Sequence, residues 1–574
     1  MTTLTNMKKR WVLRENQEAE RAKKLAAELN IENELSSLLC TRNAHTFDKA
    51  KDFFRPALSR LHDPFLMNDM LKAVERIKSA IETDEKILVY GDYDVDGTTA
   101  VSVVYSFIKS IYERVKYYIP DRYLEGYGIS TIGIDWAKEQ GITLIIALDC
   151  GIKSIEHVKY ASSLQIDFII ADHHLPGATL PAAIAVLDPK REDSTYPFKE
   201  LSGCGIGYKL VTAIATHLKR PTLPTGLYLD MVAISIAADV VDVCDENRIL
   251  AYYGLKQLNE KPCTGLKALI KSAGLNSEIT FNEVLFQLGP RINAAGRMKK
   301  ATLVVKLLTS KDPEEAKTLS NQINACNADR KLKDAAMSEE AFELLKKTPD
   351  WEKQNSTILY QDDWHKGVVG IVASRIIEKH YRPTIILTGN DGKASGSARS
   401  VSGFNIYAAI ESCQHLLDQF GGHEFAAGLT MNVDKIDEFR LEFEKVVTAS
   451  MHKDGFIRDL LIDHLIDPAI LNGKFTRILF QFAPFGPGNH QPVFMSKNLK
   501  CHGSPSLIAG KHLKFQLRID DKTEFTCLGF NMEEHFPDLK AQKSFDLCYS
   551  IENNSWNGDT TIQLLIKDLK ITTH

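Results

Sequence analysis

Residues 87–97 read Ile-Leu-Val-Tyr-Gly-Asp-Tyr-Asp-Val-Asp-Gly. The apolar beginning is typical of a buried β-strand, and Asp92, Asp94 and Asp96 alternate directly after it. Unpaired carboxylates in a low-dielectric interior are costly, and three so close repel one another unless a cation lies among them. Carboxylate oxygen is the ligand that Mg²⁺ and Mn²⁺ prefer. Taken alone, the stretch leaves a simpler alternative open, an Asp/Gly-rich turn with one helix N-cap.

Two later stretches repeat this pattern of an apolar strand that ends in polar ligand residues. Residues 144–151 read Leu-Ile-Ile-Ala-Leu-Asp-Cys-Gly, and residues 168–174 read Phe-Ile-Ile-Ala-Asp-His-His. A fourth apolar stretch, residues 234–242, contains Asp239. A single Asp at a strand end is usually a cap, and a lone His is usually structural. Ligands gather at the carboxyl ends of strands in open α/β sheets, however, so the combination predicts two divalent ions that share a bridging carboxylate.

The motifs at 92–97 and 172–174, with a lone aspartate between them, resemble the signature of the DHH phosphoesterases. Within that family the chain is most similar to the RecJ type of exonuclease, which acts on single-stranded DNA in the 5′→3′ direction. The similarity covers nearly the whole chain from about Trp11. It includes further blocks at 120–128, 288–298, 396–400 and 420–423.

The resemblance implies two bound divalent ions, Mn²⁺ or Mg²⁺, and a set of direct ligands. Asp149 is expected to bridge the two ions, and Asp92 is expected either to ligate or to orient other ligands. The remaining direct ligands implied by the family are Asp94, Asp96, His173 and Asp239.

Three further residues are assigned to the reaction itself. Asp172 is expected to hold an imidazole or to terminate its strand. His174 is expected to face the scissile phosphate and to stabilise charge or pass a proton, with a purely structural role as the alternative. Arg297 is expected to pair with a phosphoryl oxygen, since a guanidinium can do so in a bidentate manner, and a surface salt bridge is its alternative.

The family resemblance also implies that further residues contact the DNA strand. Arg122, Ser397 and Arg399 are expected to grip a terminal 5′ phosphate, which would set the direction of degradation. His423 is expected to contact the same strand. Tyr127 either stacks on a base or wedges a duplex apart, and a core position is an equal alternative.

The predicted fold class is α/β. Strands alternate with helices from 84 to about 250, which indicates βαβ units and a mainly parallel sheet. Five short strand-like runs near the C-terminus suggest an OB-type β-barrel, although any small β domain has a similar pattern. The predicted domains are an N-terminal helical segment (1–50), a DHH catalytic domain (51–310), a long connecting helix (311–350), a DHHA1 α/β domain (351–454) and an OB-like single-strand-binding domain (455–574).

The 574 residues carry a net charge of −4, which argues against a generally basic nucleic-acid coat but permits a local basic channel. No signal peptide and no transmembrane span are expected, so a cytoplasmic location is predicted. The resemblance implies single-stranded DNA as substrate, in DNA recombination and repair, with mononucleotides as products. A single-strand-binding protein and a RecQ-type helicase are expected as protein partners of a monomeric enzyme.

Two other functions compete with an exonuclease. A phosphatase or short-oligonucleotide phosphodiesterase of the same family would need only the two α/β domains, so the C-terminal residues disfavour it. A non-catalytic scaffold is disfavoured because every expected ligand position is filled. One departure from the family pattern is Asp242, where the RecJ sequences usually have proline, and it leaves the local backbone after Asp239 in question.

Overall fold

The structure is a computed structural model that describes residues 9–15, 18–219, 226–298, 300–451, 453–520, 523–556 and 559–572. These residues form two compact units. The first unit comprises 46–330 and 481–490, and the second comprises the described residues of 1–45, 331–480 and 491–574. Across the described ranges no helix is both long and apolar enough to cross a membrane.

Strands and helices are numbered in chain order. The strands are β1 (Lys9–Leu13), β2 (Ile87–Gly91), β3 (Val115–Tyr118), β4 (Leu144–Leu148), β5 (Asp167–Ala171), β6 (Ala185–Leu187), β7 (Thr357–Gln361), β8 (Thr384–Asn390), β9 (Lys393–Arg399), β10 (Gln419–His423), β11 (Ala426–Asn432), β12 (Arg458–Ile462), β13 (His464–Leu465), β14 (Phe494–Leu499), β15 (His502–Ile508), β16 (His512–Arg518), β17 (Glu524–Gly529), β18 (Phe545–Trp556) and β19 (Asp559–Ile571). The helices are α1 (Ala19–Leu29), α2 (Asn33–Cys40), α3 (Phe47–Phe54), α4 (Met70–Glu82), α5 (Val95–Ile111), α6 (Thr131–Glu139), α7 (Ile155–Ser163), α8 (Gly203–His217), α9 (Leu229–Ala238), α10 (Asp245–Glu260), α11 (Thr264–Ser272), α12 (Phe281–Glu283), α13 (Gly289–Arg297), α14 (Thr302–Thr309), α15 (Pro313–Lys347), α16 (Val369–Lys379), α17 (Ile406–Ser412), α18 (Ile436–Ser450), α19 (Gly473–Phe480) and α20 (Phe536–Lys540).

The first unit is built on a five-stranded sheet in the order β3-β2-β4-β5-β6, and every neighbouring pair is parallel. Both faces are covered, because Ile87 and Val89 of β2 belong to one core cluster and Leu88 and Tyr90 to another. Burial on both faces explains why these strands are continuous apolar runs. The predicted parallel sheet is confirmed, and β2, β4 and β5, which precede the acidic and histidine motifs, lie side by side.

The segment before Asp239 is helical. Residues 234–238 of the fourth apolar stretch form the end of α9, a helix whose residues 229–237 are all buried. A helix that is apolar all round has no stripe to reveal its period, so sequence alone cannot separate it from a strand. Helix α4 begins at Met70, after a 3₁₀ turn at Pro64–Leu66.

The second unit contains a five-stranded mixed sheet in the order β10-β11-β9-β8-β7. Only β7 and β8 are parallel neighbours in it, and α16 packs against β8 and β9. The predicted connecting helix is present as the 35-residue α15.

The C-terminal part of the second unit forms a seven-stranded sheet in the order β13-β14-β18-β19-β17-β16-β15. The five predicted strands correspond to β14 and β16–β19, whereas β13 and β15 were not anticipated. Within the described residues no pairing joins β13 to β15, so hydrogen bonds do not close the sheet into a barrel.

Near the N-terminus, Lys9–Leu13 pairs in parallel with β12, inside the segment that was predicted to be helical.

Candidate metal centre

The carboxylate of Asp96 is held by the N-terminus of α8. It lies in the first turn of α5 with 1% exposure and accepts hydrogen bonds from the backbone N–H groups of Gly203 and Cys204, both at 2.7 Å. The Ser235 hydroxyl donates a third at 2.7 Å. A helix N-terminus favours a negative charge. A Cβ at Gly203 would lie 2.7 Å from the Cβ of Asp149, so only glycine lets α8 begin beside both carboxylates.

The loop between β2 and α5 has a similarly tight geometry. Asp94 caps α5 by accepting a hydrogen bond from Gly97 N–H at 3.0 Å. A Cβ at Gly97 would lie 2.5 Å from the carbonyl oxygen of Asp92. The Asp92 carboxylate is 1% exposed, and its Oδ1 accepts a hydrogen bond from Gly128 N–H at 3.3 Å. Its Oδ2 has no hydrogen-bond partner among the described residues, which a simple turn with an N-cap does not explain.

His173 lies among three carboxylates at the centre of the site. Its Nε2 is 3.2 Å from Asp149 Oδ1, 3.5 Å from Asp239 Oδ2 and 3.7 Å from Asp96 Oδ2. Neither ring nitrogen, nor Asp149 Oδ1, has a hydrogen-bond partner in the part of the chain that the structure describes. Ligand atoms lie within 4.8 Å of one another in two groups, Asp96-His173-Asp239 and Asp149-His173-His174. Buried unpaired oxygen and nitrogen atoms in this arrangement fit a divalent cation.

Electrostatics point to the same conclusion. Burial raises the pKa of Asp149 well above its usual range, and the nearby carboxylates of Asp96 and Asp94 raise it further. Burial also raises the pKa of Asp239 well above its usual range, and the charge of Asp96 raises it further. Burial also lowers the pKa of His173, which keeps its imidazole neutral and able to ligate. A bound metal ion would supply the positive charge that offsets the raised pKa values of Asp149 and Asp239.

Asp149 reaches the cluster through an unusual backbone conformation. Its φ of 58° lies in the left-handed region, which Asp tolerates better than most residues. Its N–H donates to the carbonyl of Ala171 at 2.9 Å and extends the pairing of β4 with β5. The chain then turns sharply, and the side chain is buried in the site.

Asp172 and His174 form a hydrogen-bonded pair beside the cluster. Asp172 Oδ1 accepts hydrogen bonds from His174 Nδ1 at 2.7 Å and from His173 N–H at 2.8 Å, and Oδ2 accepts one from Ile152 N–H at 2.9 Å. Burial opposes ionisation, but the His174 bond holds the pKa of Asp172 at about 2. Burial would lower the pKa of His174, but Asp172 raises it to about 9. His174 Nε2 lies 3.1 Å from the hydroxyl of Tyr127, whose ring is half exposed and therefore not a core residue.

Two cationic side chains flank the first aspartate loop. The Arg122 guanidinium lies 5.1 Å from the ring centre of Tyr93, and both Arg122 and Arg297 act electrostatically on that tyrosine. The hydroxyl of Tyr123 donates to the carbonyl of Arg297 at 2.6 Å. A Cβ at Gly296 would lie 2.5 Å from the carbonyl oxygen of Tyr93, so the glycine brings the end of α13 against this loop.

The other predicted substrate residues share one sheet face in the second unit. Arg399, Ala426 and His423 lie directly opposite one another across β9, β11 and β10, and residues in register point to the same face. Arg399 Nη1 donates to the Ser397 hydroxyl at 2.8 Å. A Cβ at Gly370 would lie 2.9 Å from Arg399 Nη2, which brings the first turn of α16 against this pair. A guanidinium beside a helix N-terminus suits an anion.

Sequence reasoning missed two parts of the site. The α8 N-terminus was detectable as Ser202 followed by the glycine-rich start of a helix, and the Ser202 hydroxyl accepts a hydrogen bond from Gly205 N–H at 3.1 Å. Asp188, directly after β6, is a further strand-end aspartate. It is fully buried, burial raises its pKa to about 7, and its Oδ2 has no hydrogen-bond partner among the described residues.

The unusual Asp242 leaves the position of Asp239 intact. Its carbonyl oxygen accepts a hydrogen bond from Asn247 Nδ2 at 2.9 Å, and its side chain lies against Gly488. The next residue, Val243, donates its N–H to the carbonyl of Pro487 at 2.7 Å. The segment is therefore fixed by its neighbours without the usual proline.

Three family models match the chain. They are the N-terminal domain of the DHH family at residues 86–236, the DHHA1 domain at 353–449 and the RecJ OB domain at 462–568.

Known proteins match over nearly the full length. The single-stranded-DNA-specific exonuclease RecJ of Bacillus subtilis is 35% identical over 569 residues, which cover 98% of this chain and 71% of the relative. The protein of the same name from Escherichia coli is 32% identical over 521 residues, covering 87% and 89%. The crystal structure of Thermus thermophilus RecJ in complex with Mn²⁺ superimposes with a TM-score of 0.84 at 26% identity, covering 98% of this chain and 80% of that one. Its Mg²⁺ complex gives a TM-score of 0.79 at 25% identity.

Proposed function

Since this chain belongs to the RecJ family of single-stranded-DNA-specific exonucleases, we propose that it hydrolyses the DNA backbone at the carboxylate and imidazole cluster that follows β2, β4 and β5. The enzyme is metal-dependent, since RecJ structures contain Mn²⁺ or Mg²⁺ and the cluster suits such ions. The observation that carries the assignment is His173 Nε2, which lies within 3.7 Å of three carboxylates while neither ring nitrogen has a hydrogen-bond partner in the described residues.

The proposed metal ligands are the residues of this cluster. Asp149 is the proposed bridge between two ions, and Asp92 contributes the buried Oδ2. A pair of divalent ions in such a site activates water and neutralises charge on the phosphoryl and leaving oxygens. The other proposed ligands are Asp94, Asp96, His173 and Asp239.

The chain's own side chains do the remaining work. Asp172 fixes the His174 ring through Nδ1, so Nε2 is the nitrogen that faces the substrate side, beside the Tyr127 hydroxyl. The hydrogen bond to Asp172 holds the pKa of His174 above its usual range, which favours a proton on its Nε2 that can be donated to a phosphoryl or leaving oxygen. Arg297 is the proposed partner of a non-bridging oxygen.

The direction of degradation is also part of the proposal. Arg122, Ser397 and Arg399 bind a terminal 5′ phosphate, His423 contacts the strand that follows, and Tyr127 stacks on a base. Cleavage then proceeds 5′→3′ and releases mononucleotides. The arrangement of Arg399 and Ser397 beside the start of α16 supports an anion site in the second unit.

Two competing functions have less support. A small-substrate phosphatase would have no use for the C-terminal residues that match the RecJ OB domain. A non-catalytic scaffold would not need to keep buried, mutually repelling carboxylates.

Domain roles and partners extend the proposal by family resemblance. We assign catalysis to 51–310, a connecting helix to 311–350, strand contacts to 351–454 and single-strand binding to 455–574, with 1–50 as an N-terminal segment. A monomer in the cytoplasm would act in recombination and repair on strands supplied by a RecQ-type helicase and a single-strand-binding protein. Sedimentation of the purified chain tests whether it is a monomer in solution.

Replacing Asp149 by Asn tests the proposed function. Asn also tolerates a left-handed backbone, so D149N removes the charge while it keeps the turn. We expect at least about a hundredfold loss of hydrolysis of single-stranded DNA and weaker Mn²⁺ binding, because losing even an outer partner of a metal ligand costs 10–100-fold. Thermal stability should be equal or higher, since a repelling buried charge is removed.

The matched control is D135N, which changes a carboxylate that only accepts a hydrogen bond from the exposed Tyr160 hydroxyl. Activity is followed with end-labelled single strands and duplexes, and bound metal by calorimetry. A folded D149N protein that retains activity within tenfold of the parent would overturn the assignment of this cluster.

A further inference from the structure

The turn after β6 brings an additional lysine to the metal centre. Leu187 of β6 is paired with Ala171 of β5, so Asp188 follows its strand beside Asp172. Asp188 Oδ1 accepts a hydrogen bond from Lys190 N–H at 2.7 Å, which closes a tight turn. Lys190 therefore begins at the same edge of the sheet as the proposed metal ligands.

The turn is fixed on its other side by Arg191. Its Nη1 donates to Asp69 Oδ2 and to the carbonyl of Val186, both at 2.7 Å. A second pair, with Asp193, is also at 2.7 Å. With Asp188 and Arg191 both anchored, the backbone of Lys190 has a defined position, and only its side chain remains adjustable.

The side chain of Lys190 reaches toward the segment that carries Asp239. Its Nζ lies 3.2 Å from Glu200 Oε2, and the lysine side chain is 19% exposed whereas that of Glu200 is 45% exposed. Asn247 Nδ2 donates to the carbonyl of Glu200 at 2.5 Å and to that of Asp242 at 2.9 Å. This amide ties the Glu200 segment to the residues just after Asp239.

The pair of Lys190 with Glu200 lies on the side of the cluster that carries Asp239, because Asn247 joins the Glu200 segment to the residues just after Asp239. Arg122, in contrast, lies against Tyr93 beside the first aspartate loop. Lys190 thus supplies positive charge at a part of the cluster that Arg122 leaves uncovered.

We propose that Lys190 is a further substrate-binding residue, whose ammonium contacts a backbone phosphate of the DNA strand at the metal centre, and that Glu200 holds it in place until the strand arrives. This inference rests on the proposed function. An ion pair with a partner as exposed as Glu200 contributes little, so a phosphate can displace it readily. The alternative is that the pair only stabilises the turn.

The first experiment measures binding of a 5′-phosphorylated single strand to the full chain by fluorescence anisotropy, with Ca²⁺ as the metal to slow cleavage. We expect K190M to weaken binding about five- to twentyfold at low salt. The slope of log Kd against log salt should fall by about 0.7, the value for one phosphate contact on a single strand. K190R should retain most of the affinity.

The matched control is K199M, because Lys199 is in the same connection but its Nζ donates to the carbonyl of Ser194 at 2.8 Å. Its affinity should stay within twofold of the parent. E200Q separates the two roles of the pair: it should bind DNA as tightly as the parent or more tightly if Lys190 serves the phosphate. It should weaken binding as K190M does if the pair is only structural.

The second experiment scans single neutral methylphosphonate linkages along the strand. In the parent, a neutral linkage at one position should lower the affinity for the strand. In K190M the same linkage should have no effect, while neutral linkages at other positions should lower the affinity equally in both proteins. If K190M behaves like K199M, or if penalties add at every linkage, this inference is wrong. A parent that binds and hydrolyses no single-stranded DNA would instead overturn the proposed function itself.

Discussion

The carboxylate of Asp149 occupies a position that the rest of the chain has to stabilise. Its backbone is left-handed, its side chain is 2% exposed, and neighbouring carboxylates raise its pKa. Backbone strain of this kind costs about 1–3 kcal/mol and persists only where surrounding structure over-determines it. Such a combination is expected of a functional residue and would be selected against in an ordinary turn.

His380 offers a test of burial at a single residue of the second unit. It follows α16, packs edge-on against Trp351 with ring centres 5.0 Å apart, and its Nε2 has no hydrogen-bond partner among the described residues. Burial lowers its pKa to about 4, and Arg382 contributes. The unfolded chain, with a pKa near 6.5, therefore binds more protons between pH 6.5 and pH 4, so stability is lost as the pH falls through that window.

When the pH falls from 7 to 5, we expect this histidine to lower the free energy of unfolding by about 2 kcal/mol. H380F keeps an aromatic ring against Trp351 and removes the titration, so its stability should fall less over the same range. Urea titrations at both pH values measure the difference, with the exposed His415 replaced in the same way as the control. An identical pH dependence in H380F and the parent would contradict the buried-histidine argument.

At the scale of elements, the start of α8 positions two carboxylates of the site. Its first two N–H groups hold Asp96, and its glycine leaves room for Asp149. The helix and β2, β4 and β5 therefore converge on one point, although residues 96 and 203 are far apart in sequence. Sites built on helices and strands are held more precisely than sites built on loops.

Replacing Gly203 by Ala tests this arrangement. The added methyl would meet Asp149 at 2.7 Å, and such overpacking costs about 1–3 kcal/mol, partly offset by the better helix propensity of Ala. We expect the protein to fold, with Mn²⁺ affinity and hydrolysis each reduced about 10–100-fold.

G205A is the matched control in the same turn, because its Cβ would approach no atom closer than 3.3 Å. Its metal affinity and rate should remain close to those of the parent. Calorimetry with Mn²⁺ and a rate assay compare the two variants. Equal effects of G203A and G205A would mean that helix propensity, rather than the contact with Asp149, explains the result.

At the scale of the whole molecule, the family resemblance assigns a terminal phosphate to residues from both units. Arg122 belongs to the first unit, and Ser397 and Arg399 belong to the second. Two guanidinium groups and a hydroxyl suit a terminal phosphate dianion, which carries more charge than an internal diester.

We expect the parent to prefer 5′-phosphorylated over 5′-hydroxyl single strands and to degrade them from that end. R399A should shrink this preference by roughly 1.5–3 kcal/mol, the value of a charged hydrogen bond. If both arginines bind the same phosphate, the preference lost in the double variant R122A/R399A should be smaller than the sum of the losses in the two single variants. Product ladders from strands labelled at either end measure preference and direction.

R440A is the control, since Arg440 pairs with Asp437 and the carbonyl of Ile358 in the second unit. Degradation from the 3′ end, or an unchanged preference in R399A, would contradict the proposed polarity.

The sequence by itself determined the parallel sheet, the long helix α15 and the strand-end positions of Asp92, Asp149 and Asp172, because apolar runs and polar ends are local patterns. Most C-terminal strands followed from similar short-range signals, whereas the mixed pairing of the sheet in the second unit was not predicted. Family motifs added the expectation of metal-dependent chemistry on DNA.

Only the tertiary structure decided which of these groups meet. The apolar segment before Asp239 is a helix that has no polar face to mark its period, and the Gly203 amides that hold Asp96 come from more than a hundred residues away. The unpaired state of His173 and the reach of Lys190 likewise depend on neighbours brought by other elements. Burial and long-range hydrogen bonds are properties of the assembled chain, so no local pattern in the sequence encodes them.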